Sequence, residues 1–141
     1  MSSYFQGAVK SGDGFSETAT GVGTAVLSQT ALIDFNATLK SEATFVLPKN
    51  AQIVNAFVDT LTAFNSATSA TVTLGSASAG TQYVGAVDAK TAGRATAPFS
   101  AAQLAAMDDI GTSTTVYATI TSVGQPTAGQ SRVTVFYVPS V

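Results

Sequence analysis

The chain contains no cysteine, no histidine and no tryptophan, and only 10% of its 141 residues are charged. Without cysteine it can form neither a disulfide nor a thiolate metal site. Without histidine it lacks the most common general base, the partner of a nucleophilic Ser or Cys, and the most common metal ligand. These absences argue against an enzyme, and we expect no cofactor and no bound metal.

Charge is scarce in both signs. Six basic and eight acidic residues give a net charge of −2, and the basic ones do not cluster as nucleic acid binding requires. No apolar run approaches the roughly 20 residues that span a bilayer, and the first residues lack the pattern of a signal peptide. We therefore expect synthesis in the cytoplasm, no direct nucleic acid partner and no membrane partner.

Small residues are abundant instead, with 24 Ala, 21 Thr and 15 Ser. A free monomer usually keeps apart from its neighbours through interspersed surface charge, whereas small uncharged side chains repel little and let backbones approach closely. Two interpretations are open: an ordinary low-charge domain, or a surface that is covered by other copies or by a partner. The composition favours the second interpretation.

The chain divides into two parts by composition. Residues 1–23 are rich in Gly, Ser and Thr and show no sustained period, which predicts an N-terminal arm. From residue 24 to 141, segments rich in Val, Ile, Thr, Phe and Tyr alternate with turn signals. This second part is predicted to hold seven or eight strands, at about 24–35, 43–47, 51–64, 71–74, 83–88, 114–123 and 132–138.

The clearest predicted strand is Ala51–Phe64. Its period of two places on one face Ile53, Asn55, Phe57, Asp59 and Leu61. The opposite face also carries apolar residues, so we expect a central strand with both faces covered.

The predicted fold is all-β, a single antiparallel β-sandwich of two stacked sheets. Because the loops vary in length, we favour a jelly-roll-like version. The one predicted helix is short, at Ser100–Met107, where Ser100 can cap the helix and Gln103 can complete a capping box.

Three short motifs could carry chemistry, and each has an ordinary explanation. Asp108-Asp109 fits a cation site or a glycosidase acid/base pair, but Asp is common in turns. Ser11-Gly12-Asp13-Gly14 offers one carboxylate where a calcium loop needs three or more oxygen ligands. Asn36-Ala37-Thr38 matches the glycosylation sequon, which arises often by chance. We assign no catalytic, cofactor-binding or metal-binding residue.

Three tyrosines, Tyr83, Tyr117 and Tyr137, fall within predicted strands. They could form a flat aromatic platform for glycans, or they could lie in the core or on a sheet face with their hydroxyls reaching the surface. We favour the second arrangement.

The middle of the chain resembles a pattern found in small structural proteins of tailed bacteriophages. In that pattern an F-x-L-P-x-N-A-x-I strand-turn-strand leads to a T-A-F segment, as in Phe45–Ile53 and Thr62–Phe64. The likeness covers roughly residues 24–138 and continues through Ala70–Gly75, Gly80–Val84, Val87–Arg94, Pro126–Gly129 and Arg132–Val138.

This resemblance implies a β-sandwich virion protein on the outer surface of the phage head or head–tail region, made in the cytoplasm of a bacterial host. The expected function is that of a capsid decoration (cement) protein that binds the major capsid protein and other copies of itself as a homotrimer. The alternative is a head-fibre, spike-base or tail component with a receptor- or glycan-binding role. The arm would contact the capsid or a neighbouring copy through Tyr4, Phe5, Val9 and Phe15.

Overall fold

The computed structural model describes residues 25–36 and 38–139 of the chain. Within these ranges the chain forms eight strands and one helix, α1 (Ala101–Asp108), which lies between β6 and β7. The strands are β1 (Leu27–Asp34), β2 (Lys40–Val46), β3 (Gln52–Thr62), β4 (Ser69–Gly75), β5 (Val84–Asp88), β6 (Gly93–Thr96), β7 (Thr115–Val123) and β8 (Gln130–Val138). The predicted all-β class is confirmed.

The strands form two antiparallel four-stranded sheets that stack as a sandwich. Sheet A has the order β1-β8-β3-β6, and sheet B has the order β2-β7-β4-β5. Only the connection from β4 to β5 joins two strands of the same sheet; each other connection between described strands crosses to the opposite sheet. Each strand therefore turns one face to the shared core and the other face outward.

Strand β8 shows how the sequence produces this arrangement. Val133 and Val135 are buried in the core, whereas Arg132, Thr134 and Phe136 alternate with them on the outer face. The other large side chains that are almost fully buried come from both sheets, the loops and the helix: Ile33, Leu47, Phe64, Val72, Leu74, Met107, Val116 and Ile120.

The predicted helix is confirmed. Ser100 is its N-cap, its hydroxyl accepts the Gln103 backbone N–H, and the Gln103 side chain accepts the Ser100 N–H in return, which completes the capping box. Met107 is buried, so this short helix covers part of the core.

Two predictions about strands are corrected by the structure. A β-bulge between Ile53 and Asn55 places Ile53 on the core face with Ala56, so it does not share a face with Asn55 and Phe57. Gly93–Thr96, which lies outside all the predicted strands, forms the edge strand β6. Four residues are too few to show a period in the sequence.

The turn before β8 is closely packed against Phe64. Gly129 has φ +150, and a Cβ at this position would lie 2.5 Å from the Phe64 ring, which is 1% exposed. Gly93 has a similar φ of +131, but a Cβ there would meet no atom within 4 Å. A comparison of substitutions at the two glycines therefore distinguishes the cost of backbone strain from the cost of steric overlap.

We expect Gly129→Ala to lower the free energy of unfolding by about 2–4 kcal/mol, because it combines backbone strain with overpacking. Gly93→Ala carries the backbone strain alone and should cost about 1 kcal/mol. Urea denaturation of both variants measures the difference. Equal losses in the two variants would show that contact with Phe64 does not constrain this turn.

Candidate interaction surface

The outer face of sheet A carries a row of side chains that crosses all four strands in register. Leu32 of β1 lies opposite Arg132 of β8, Arg132 lies opposite Asp59 of β3, and Asp59 lies opposite Arg94 of β6. Cross-strand neighbours on one face of a sheet lie close enough to interact directly. The register therefore places one carboxylate between two guanidinium groups.

Asp59 is paired with both arginines. Arg94 Nε and Nη2 donate to the two carboxylate oxygens at 2.6 and 3.0 Å, and Arg132 Nη2 donates to Oδ2 at 3.3 Å. The Asp59 side chain is 9% exposed, while those of Arg94 and Arg132 are 59% and 41% exposed. The guanidinium groups thus cover the carboxylate, and each keeps a large solvent-facing surface.

These contacts change the acidity of Asp59. The hydrogen bond from Arg94 is the main cause that lowers the pKa of Asp59 below its ordinary value; burial opposes this effect, and the hydrogen bond from Arg132 adds to it. The same pairing raises the pKa of Arg94. The three groups together carry a net charge of +1 at neutral pH.

Two phenylalanines lie beside this row on the same face. The rings of Phe57 and Phe136 meet edge to face, with centroids 5.3 Å apart and an interplanar angle of 77°. The guanidinium carbon of Arg94 lies 5.1 Å from the centroid of Phe57, within the range of a cation–π contact. We call the set Phe57, Asp59, Arg94, Arg132 and Phe136 the arginine–phenylalanine face.

The chemistry of this face suits binding to protein. Arg and aromatic side chains are enriched at protein interfaces and dominate their binding free energy. These side chains lie on paired strands, and Asp59 holds Arg94 through its Nε and Nη2 groups. This order reduces the conformational entropy that a partner's binding would cost. The half-buried Phe57 and Phe136 rings offer apolar contact area next to exposed charge-assisted donors.

The predicted arm residues and the Ser11–Gly14 motif lie outside the described residues, so their predicted contacts stay predictions: Tyr4, Phe5, Val9 and Phe15. In the described part of the chain, no group of three or more Asp or Glu residues is placed to hold a metal ion. Within the same part, no helix is long and apolar enough to cross a membrane.

Asp108 and Asp109 bind other parts of the fold. Asp108 Oδ1 accepts the Gln52 side-chain amide at 3.1 Å, and Asp109 Oδ1 accepts the Asn50 amide at 3.0 Å and the Gly111 N–H at 2.8 Å. The bond from Asn50, followed by that from Gly111, lowers the pKa of Asp109. The two aspartates thus link the end of α1 to the start of β3, which agrees with their interpretation as ordinary turn residues.

The three tyrosines of the predicted strands do not form an aromatic platform, and Tyr83 lies just before β5. Tyr83 and Tyr137 are buried at 3% and 7% exposure, and burial raises the pKa of Tyr83. Tyr137 lies in sheet A, where its hydroxyl accepts the Gln29 side-chain amide, whereas Tyr117 lies half-buried in sheet B. The structure therefore agrees with the favoured prediction, in which these tyrosines lie in the core or on a sheet face.

Sequence reasoning missed the arginine–phenylalanine face, although one signal was present. Asp59 is the single charged residue in the strongly apolar segment Ala51–Phe64, and a carboxylate in a central strand needs a cationic partner. The partners lie 35 and 73 residues away along the chain, so the sequence alone does not identify them.

Comparisons of the chain with protein-family models, with curated proteins and with solved structures found no match.

We expect Asp59→Asn to be less stable than the parent at pH 7, because it leaves Arg94 and Arg132 side by side without their counter-ion. The pKa of Asp59 is lower in the folded state than in the unfolded chain. The stability that ionised Asp59 contributes is therefore fully present above the pKa of an aspartate in the unfolded chain, near 4. It is lost as the pH falls through the lower pKa of Asp59 in the folded protein. The difference in unfolding free energy between parent and variant should shrink on acidification.

Urea denaturation of both proteins across this pH range measures the effect. The matched control is Asp34→Asn, which removes an exposed carboxylate of sheet A that accepts the Gln130 amide. A stability difference for Asp59→Asn that is constant down to the lowest pH would contradict the assigned ion pairing.

Proposed function

We propose that the chain is a bacteriophage virion structural protein, a capsid decoration subunit that binds the major capsid protein on the outer surface of the head. The observation that carries the proposal is the arginine–phenylalanine face. It brings two exposed guanidinium groups and an aromatic pair onto one ordered sheet surface. That combination is typical of the residues that contribute most to protein–protein affinity.

We also propose that the sandwich is a jelly roll. Four ladders support this topology: β1 pairs with β8, β2 with β7, β3 with β6, and β4 with β5. This is the pattern of one long antiparallel hairpin that is wrapped into two sheets. Two further ladders, β3–β8 and β4–β7, complete the two four-stranded sheets. Jelly rolls occur in viral capsid proteins, as well as in lectins and cupins, so the topology is consistent with a virion protein.

The composition supports an assembly of many copies. With 10% charged residues, the surface offers little electrostatic resistance to close packing. On a repeating shell, several weak contacts made at once give a much stronger attachment than each contact alone. We propose a homotrimer whose arms add contacts to the capsid or to neighbouring copies through Tyr4, Phe5, Val9 and Phe15.

A fibre-base or spike protein with a glycan-binding role is the competing function, since lectins share the jelly-roll topology. Such sites commonly present a flat, exposed aromatic surface. Tyr83 and Tyr137 are buried instead, so the described tyrosines do not favour glycan binding, and we do not propose it.

Electron cryomicroscopy of the phage that encodes this chain, prepared with and without its reading frame, tests the proposed function. We expect density for the sandwich on the outside of the head, in groups of three copies, which disappears when the reading frame is deleted. Density confined to the tail, or identical particles in both preparations, would contradict a role in head decoration.

A matched pair of variants tests the proposed surface. Phe136→Ala removes a ring of the arginine–phenylalanine face and should weaken attachment to undecorated heads by about tenfold or more. Leu104→Ala removes an apolar side chain that is 53% exposed on α1, and we expect less than about a twofold change, as for most non-central surface residues.

Co-sedimentation with heads at increasing protein concentration measures both affinities, and urea denaturation establishes that each variant is folded. Arg94→Lys is an independent variant, which keeps the charge but loses the two-point bond to Asp59. If Phe136→Ala and Arg94→Lys both attach as tightly as the parent protein, another surface makes the contact.

A further inference from the structure

Strand β1 is an edge strand of sheet A. In the described part of the chain β1 pairs only with β8, through a ladder that runs from Leu27 to Asp34 without a bulge. The Phe35 N–H donates to the Gly129 carbonyl across this ladder. Because the direction of these groups alternates along an antiparallel strand, the N–H and C=O groups that point away from β8 belong to Ser28, Thr30, Leu32 and Asp34. A regular row of this kind is a template for pairing with another strand.

Little charge protects this edge. Strand β2, the edge of sheet B on the same side of the sandwich, carries Lys40 and Glu42, charged side chains of the kind that discourage pairing. Strand β1 carries a single charge, at Asp34. Apolar side chains along β1 are exposed within the described structure, to 43% for Leu27, 54% for Leu32 and 41% for Phe35. Of these two edges, β1 is therefore the one that favours association.

We propose that the β1 strands of two copies pair antiparallel about a two-fold axis beside Ala31, so that sheet A continues from one copy into the other. In this register Ser28 of one copy lies opposite Asp34 of the other, and Thr30 lies opposite Leu32. These four residues are the ones whose backbone groups point to the free edge. The two strands therefore exchange about eight backbone hydrogen bonds.

The apolar side chains match in this register. On the face turned to the core, Leu27 of one copy lies opposite Phe35 of the other at both ends of the pair, so each covers the other. On the outer face, the Leu32 side chains of the two copies are diagonal neighbours, within reach of each other. A shift of two residues in either direction would separate Leu27 from Phe35 and would leave Ser28 or Asp34 without a partner in β1.

The polar groups also fit the contact. The two Asp34 carboxylates lie at opposite ends of the pair, about 20 Å apart, and each meets a Ser28 hydroxyl that can donate to it. The side-chain amide nitrogen of Gln29 already donates to the Val46 carbonyl at 2.8 Å and to the Tyr137 hydroxyl at 3.3 Å. The pairing therefore buries neither two like charges together nor an unpaired amide donor.

A second β1 strand is a better partner than β6, the other edge of the same sheet. Strand β6 has only four residues, Gly93–Thr96, so a head-to-tail pairing of β1 with β6 would form about four backbone hydrogen bonds at most. The β1 pairing is two-fold, whereas the proposed homotrimer is three-fold. The inference thus goes beyond the proposed function, and where both contacts form, β1 joins copies of different trimers.

A single introduced thiol tests this contact, because the chain has no cysteine. The Ala31 residues of the two copies face each other as a non-hydrogen-bonded pair, with Cα atoms about 4.5 Å apart, within the range of a disulfide. The matched control is Ala95, a half-buried, core-facing alanine on the other edge strand of sheet A. In oxidised glutathione, we expect Ala31→Cys to form covalent dimers about tenfold or more faster than Ala95→Cys.

Substitutions at Ser28 test the register. Within one copy Ser28 and Asp34 are about 20 Å apart, so a charge at Ser28 meets Asp34 only in the other copy. In the Ala31→Cys background, Ser28→Lys should speed dimer formation about threefold or more and Ser28→Asp should slow it by a similar factor, because cross-strand pairs of opposite charge attract and like charges repel. Denaturing gels without reductant measure the rates, and urea denaturation establishes that each variant is folded.

Three results would overturn the proposal. Equal rates for Ala31→Cys and Ala95→Cys would show that β1 does not meet a second β1. Covalent dimers that form mainly between the two variants, when they are mixed, would indicate head-to-tail pairing of β1 with β6. Equal effects of Ser28→Lys and Ser28→Asp would exclude the register. Every measurement uses the free protein, so failure here is distinct from failure to bind a phage head.

Discussion

The pairing of Asp59 with Arg94 and Arg132 constrains the rest of sheet A. A carboxylate in a central strand is acceptable only where cationic partners meet it, because an unpaired buried charge costs several kcal/mol. If β3 slipped by one residue against β8, Asp59 would turn toward the core and lose both arginines. The ion pairs therefore help to specify the register that also places Ala56, Val58, Val133 and Val135 in the core. One interaction on the outside of the sheet thus supports the packing inside it.

The same register explains how β3 and β8 contribute both to the core and to the outer face of sheet A. On β8, residues that alternate along the chain build the core and the arginine–phenylalanine face in turn. Substitutions at Arg132 or Phe136 act on the outer face, while Val133 and Val135 carry the contact between sheets. A sandwich of this kind can change its partner without changing its core, which is how one fold serves many binding functions.

Much of the fold could be predicted from local patterns, and little of the surface could. The period of two in Ala51–Phe64 and the capping box at Ser100 depend on neighbours along the chain, so they are visible in the sequence. The bulge that moves Ile53 to the core depends on the partner strand. The contacts among Phe57, Asp59, Arg94 and Phe136 depend on register between distant strands. A single sequence does not contain that information, although a lone Asp in an apolar strand shows that a partner must exist.

The arginine–phenylalanine face and the unpaired edge of β1 would recognise partners by different chemistry. They therefore differ in how well they exclude unwanted partners. The arginine–phenylalanine face would select a partner by side-chain shape and charge. The edge of β1 offers backbone groups that any extended chain can pair with, so it discriminates poorly. In a chain with only 10% charged residues to repel unwanted strands, an uncovered β1 edge would promote aggregation. A cover on that edge would reserve association for the arginine–phenylalanine face, because N–H and C=O groups that are already paired no longer attract foreign strands.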